Sequence, residues 1–108
     1  MSRRNPTPEA CVLNACLGLL AAERVWAIRV SSGAFVLGEG ESRRFFRAGV
    51  TGIADILAAP KIEGKATLLW IEVKSDSGRQ RTAQQQFQKE VEAAGQFYLL
   101  ARSSDDVL

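Results

Sequence analysis

A chain of 108 residues, 46% hydrophobic and 24% charged, has room for one domain with a modest core; a second domain and general disorder are both excluded as expectations. A net charge of +2 says little about partners, but the complete absence of histidine removes a His general base, a Ser-His-Asp triad and the usual zinc sites. The longest apolar run, Leu17 to Ala22, is far too short to span a bilayer and no charged-then-apolar leader opens the chain, so an intracellular, cytoplasmic protein without membrane association is expected.

Met1 to Pro6 reads as a flexible basic arm. Thr7-Pro8-Glu9 then starts a helix, with Thr7 as N-cap, Pro8 at the first helical position and Glu9 where the helix dipole favours an acid. The helix is expected to run to about Glu23 on an apolar stripe of Leu13, Cys16, Leu17 and Leu20, and one turn back from Leu13 the same face carries Glu9. Cys11 and Cys16, five apart and alone, read as small core residues in a reducing compartment.

Val25 to Ser31 alternates as a first strand, with Trp26, Ile28 and Val30 on one face and Arg29 on the other. Ala34 to Leu37 and Arg44 to Arg47 read as short strands around the polar turn Gly38 to Ser42. After the turn Gly49 to Gly52, Ile53 to Ala58 is the next strand, interrupted by Asp55. Pro60 to Ala66 loops back into Thr67 to Lys74, an antiparallel partner. Along that run Leu69, Ile71 and Val73 share one face, and Leu68, Trp70, Glu72 and Lys74 the other. A second helix is expected over about Ala83 to Ala94, closed by Gly95, with Phe87, Val91 and Ala94 buried and Gln84 on the same face in its first turn. Gln96 to Ala101 is a last strand, and Ser103 to Asp106 caps a final helical turn. A helix between the last two strands implies a parallel crossover, so the fold expected is α/β, a mixed sheet flanked by helices in the order α-β-β-β-α-β.

Glu72 and Lys74 sit at the end of a hydrophobic strand, where charge is costly unless something pairs with it or uses it. With Asp55 across the hairpin and Glu9 arriving from the first helix, they would make an oxygen-rich site suited to a hard cation, Mg²⁺ or Mn²⁺, with the Val73 backbone carbonyl as a further ligand. Lys74 beside it could position or help deprotonate a water and stabilise developing negative charge. Glu-x-Lys alone is a common same-face pair; its conjunction with Asp55, Glu9, Gln84 and the arginines in arms and loops (Arg3, Arg4, Arg43, Arg44, Arg47, Arg79, Arg81) favours a site that meets phosphate. The register that would bring Asp55 to Glu72 is not fixed by these residues.

Asp55 followed by Glu72-Val73-Lys74 resembles the metal-dependent PD-(D/E)XK nuclease signature, and the finer pattern resembles its VRR-NUC branch, including small stand-alone members encoded by phages. Supporting matches are Pro8-Glu9, Trp26 through Arg29 to Ser32-Gly33, Gly52-Ile53-Ala54-Asp55, Trp70-Ile71-Glu72-Val73-Lys74, Gly78-Arg79-Gln80, Gln84 with Phe87, and Gly95 with Tyr98. The resemblance implies a restriction-endonuclease-like core and metal-dependent hydrolysis of DNA phosphodiesters. It implies Glu9, Asp55 and Glu72 as metal ligands, Lys74 as catalytic lysine, Gln84 as a supporting residue, and Arg29 and Ser32 beside the loop arginines on DNA. Ala54 stands where the superfamily name has proline, and Arg81-Thr82-Ala83 replaces the frequent Ser-Pro helix start.

Stand-alone members resemble Holliday-junction resolvases, so branched DNA and a homodimer are the implied partners; two symmetric cuts need two sites, which a two-fold dimer supplies. A flap or single-strand nuclease of the same fold, and a non-catalytic DNA-binding module, stand as the alternatives.

Overall fold

The computed structural model describes residues 7–30, 33–37, 44–48 and 51–107, of which 33–37 and 44–48 are described in backbone alone. The expected basic arm therefore lies outside the described residues. Thr7 caps helix α1 (Pro8–Ala22) as its sequence implies, its Oγ1 accepting the Ala10 N–H at 3.1 Å. Strand β1 (Trp26–Arg29) follows, then an antiparallel hairpin of β2 (Gly33–Leu37) and β3 (Arg44–Ala48). Strand β4 (Ile56–Ala59), a minimal hairpin of β5 (Lys61–Ile62) and β6 (Lys65–Ala66), and β7 (Leu69–Val73) come next. Helix α2 (Thr82–Ala93), β8 (Phe97–Ala101) and a 3₁₀ turn (Ser104–Val107) complete the chain.

Four strands form the central sheet in the order β1-β4-β7-β8. The first three run antiparallel and β8 pairs parallel with β7, so the sheet is mixed and α2 is the crossover helix expected between parallel strands. Strand parity divides the sheet as the alternation of 69–74 implies. Ile56, Ala58, Ile71 and Val73 pack with Leu13, Cys16 and Leu20 of α1 and with Ala101 into the larger core. On the other face Phe87 and Val91 of α2 pack with Ala54, Ile53, Trp70 and Tyr98, and Trp70 meets Phe87 edge-on with ring centroids 5.1 Å apart.

Several local expectations are corrected. The strand beginning at Ile53 starts only at Ile56, because Gly52 (φ 81) presses its backbone onto the start of α2, where a Cβ would collide with the Ala83 carbonyl and lie 2.8 Å from the Gln84 nitrogen. Pro60 to Ala66 is not a simple loop: Glu63 (φ 52) and Gly64 (φ 80) are the two left-handed residues of a tight hairpin turn. In β1 the alternation holds, but the residue facing the core is small Ala27, leaving Trp26 57% and Ile28 45% exposed. Cys16 is buried and Cys11 is exposed, because five residues turn a helix by roughly 140° beyond a full turn. Ala94 is the exposed C-cap of α2, with Gly95 following at φ 82, so the buried stripe ends at Val91.

Candidate active site

The hairpin turn determines what faces what at the far end of β4 and β7. From Glu63-Gly64 the ladder pairs Ile62 with Lys65 and Lys61 with Ala66; the Thr67 N–H donates to the Pro60 carbonyl at 2.9 Å, and the same register continues through Ala58–Leu69, Leu57–Trp70 and Ile56–Ile71. One further step brings Asp55 opposite Glu72. There the backbone ladder gives way to a side chain: Asp55 Oδ2 accepts the Val73 N–H at 2.8 Å. The Lys74 N–H points the other way, to Ala101 O at 2.9 Å. Since a trans peptide sets its C=O opposite its N–H, the Val73 carbonyl points toward Asp55.

Glu72 is 1% exposed and Lys74 7%. Gln84, in the first turn of α2, donates through Nε2 to Glu72 Oε1 at 2.7 Å, while its Oε1 accepts the Arg81 N–H at 2.7 Å, the reach-back half of a capping box. Tyr98 from β8 brings its hydroxyl to 3.4 Å from Glu72 Oε2. Lys74 Nζ lies 3.8 Å from Glu72 Oε1 and 3.8 Å from Glu9 Oε1, joining the sheet to the start of α1. Among the described residues no buried side-chain oxygen or nitrogen lacks a partner.

Positive charge is what this cluster lacks. Burial first, and then the neighbouring Asp55 carboxylate in hydrogen-bonding contact, push the Glu72 carboxyl up to about 8, with Lys74 opposing the shift without cancelling it. Tyr98 is also held above its usual range, by burial first and then by Glu72, so it remains a neutral donor. Two carboxyls side by side, with a backbone carbonyl on the Asp55 side, are oxygen donors of the kind a hard divalent cation takes. Among the described residues no three Asp, Glu or Cys side chains converge into a complete cage. The residues that could hold such a cation are Asp55, Glu72 and the Val73 carbonyl, a short donor set of the kind that leaves positions for water or phosphate oxygens.

Of the residues expected at the site, Asp55, Glu72, Lys74 and Gln84 come together, and Glu9 joins them through Lys74, with its side chain 53% exposed. Arg29, Arg79 and Arg81 are exposed. Ser32 and Arg43 lie outside the described residues, and Arg44 and Arg47 lie on β3, whose backbone alone is described.

Three residues outside that expected set brace it. Gln80 Nε2 donates to Tyr98 OH at 2.9 Å and to Gln88 Oε1 at 3.0 Å. Arg102 Nη1 gathers the carbonyls of Ser75 (2.7 Å), Gly78 (2.7 Å) and Asp76 (3.3 Å), fixing the loop that leaves Lys74. Tyr98 completes the three. The sequence signal for Tyr98 was its pairing with Gly95 in the quoted pattern; Gln80 stood in the Gly78-Arg79-Gln80 match, and Arg102 had none. No described helix is long and apolar enough to cross a membrane. No family model, curated protein or solved structure matches the chain.

Proposed function

We propose that this chain is a divalent-metal-dependent DNA endonuclease of the VRR-NUC kind, with a restriction-endonuclease-like core, that hydrolyses phosphodiester bonds in branched DNA and works as a homodimer. What supports the reading is the buried Glu72 beside the half-buried Asp55, with Lys74 next to them where β7 ends, two carboxyls sharing one lysine. Counting only the strands of the central sheet, the order α-β-β-β-α-β with a mixed sheet between two helices agrees with it; the β2–β3 and β5–β6 hairpins are additions to that order.

Asp55, Glu72 and the Val73 carbonyl would hold Mg²⁺ or Mn²⁺. When bound, the cation lowers the pKa of a coordinated water and offsets charge on the scissile phosphate. Lys74, held between Glu72 and Glu9, would orient the nucleophile and stabilise the negative charge that develops. Gln84 holds Glu72 from the α2 side, and Arg79 and Arg81, exposed on the loop between Lys74 and α2, supply forks for flanking phosphates.

The test is cleavage of a mobile four-way junction, a flap and a linear duplex of matched length, with Mn²⁺, Mg²⁺ or chelator, by wild type and Asp55→Ala. Metal-dependent cutting that favours the junction and is lost in Asp55→Ala is expected. Equal cutting by both proteins removes Asp55 from the site, flap preference changes the substrate, and salt-sensitive binding without any cutting makes the chain a DNA-binding module.

A further inference from the structure

Each oxygen of Glu72 meets a different neutral donor. On Oε1 the donor is Gln84 Nε2, and its orientation is forced, because the other end of that amide accepts the Arg81 backbone N–H, which can only donate. On Oε2 the partner is the Tyr98 hydroxyl at 3.4 Å. A hydroxyl has one proton to give. Gln80 Nε2 occupies a lone pair of that hydroxyl from 2.9 Å and is itself held by Gln88 Oε1, so the phenolic proton is left to Glu72.

The ring is placed independently of this contact. Tyr98 pairs in parallel register with Trp70, two residues before Glu72, and its ring lies 6.4 Å from that of Phe87, so the ring rests on a packed base. Without the hydroxyl, Gln84 on Oε1 would be the one neutral donor left to Glu72, beside its contacts with Lys74 and Asp55. We propose that Tyr98 is a positioning residue for Glu72: its hydroxyl, directed by Gln80, fixes the second carboxylate oxygen so that Glu72 meets a divalent cation in one orientation. This rests on the metal-site reading above.

Tyr98→Phe keeps the ring and removes only the hydroxyl. Mn²⁺ titrated calorimetrically into DNA-free protein is expected to bind about 10-fold more weakly than to wild type, the scale on which groups that orient metal ligands act. Cleavage should need about 10-fold more Mn²⁺ for half-maximal rate, with the rate at saturating Mn²⁺ within about 2-fold of wild type and an unchanged melting temperature. Gln80→Leu, which frees the phenolic proton without touching Glu72, should weaken Mn²⁺ binding in the same direction by a smaller factor. Wild-type Mn²⁺ affinity in Tyr98→Phe overturns the assignment whatever happens to cleavage, as does a loss of saturating rate without a change in affinity. A wild type that binds no Mn²⁺ overturns the metal site itself, and this inference with it.

Discussion

The two faces of the central sheet are built on opposite rules. Against α1 the sheet presents Ile56, Ala58, Ile71 and Val73, an apolar layer filled by Leu13, Cys16 and Leu20. Against α2 the next residues along the same strands are Trp70, Glu72 and Lys74, and Phe87 and Val91 cover only the part near Trp70, leaving Glu72 to a lattice of amides and a phenol. One side stores stability and the other brings two carboxyls and a lysine together out of water. The difference teaches that a single strand with period two can serve both ends, because Ile71 and Val73 hold rigidly what Glu72 and Lys74 must present.

The sharpest way to separate the faces is to cut each with one alanine. On the proposed function, Lys74→Ala should lower the junction-cleavage rate by about 10³-fold, with the fold kept, because the lysine would supply charge where charge develops. Ile71→Ala, one wall away, should cost about 3–4 kcal/mol of unfolding free energy in urea titrations, with cleavage per folded molecule little changed. If Ile71→Ala removed activity in the folded fraction and Lys74→Ala only stability, the division would be inverted.

Gly52 sits where the α2 side closes on the sheet. Gly52→Ala combines a left-handed φ with a collision against the Ala83 carbonyl, and Gln84 is the residue next to that contact. A loss of about 3 kcal/mol is expected, from strain and overpacking together, and it should be accompanied by weakened Mn²⁺ binding as Gln84 is displaced from Glu72. The smallest effect belongs to the hairpin turn. Glu63 holds φ 52 without the local hydrogen bonding that lets asparagine adopt it easily, so Glu63→Asn should add about 0.5–1 kcal/mol of stability and leave cleavage unchanged.

That turn also explains how much of the site could be read beforehand. The division of Thr67 to Lys74 into an apolar and a charged face was legible from alternation alone, and so were the capped start of α1 and the Gly95 stop of α2. The meeting of Asp55 with Glu72 was not, although it follows by counting equal steps outward from Glu63-Gly64. Glu-Gly is a weak hairpin signal beside Asn-Gly or Asp-Gly, so the seven residues from Pro60 to Ala66 read as a loop and the register stayed open. Tyr98 and Gln80 escaped for a different reason. Their contacts depend on the parallel β7–β8 register, set by packing of the whole crossover helix, which no local pattern encodes. Arg102 acts on backbone carbonyls, and those carry no side-chain signature in sequence.

If the α2 face holds a cation, as proposed, thermal unfolding against pH reports it with a definite sign. The Glu72 pKa, about 8 when folded, lies above its ordinary 4.5, so between these values the folded chain holds a proton that the unfolded chain has released. Stability therefore falls as pH rises from about 4.5 to 8 and levels off beyond, by on the order of 5 kcal/mol in chelator. Asp55→Asn keeps an acceptor for the Val73 N–H and removes one of the two carboxylates. The measurement is the melting temperature of wild type and Asp55→Asn at pH 8.5, in chelator and in Mn²⁺. In chelator the variant is expected to melt above wild type, and Mn²⁺ to raise wild type well above its chelator value while scarcely moving the variant. A variant that melts below wild type in chelator and gains as much from Mn²⁺ would contradict the proposed site.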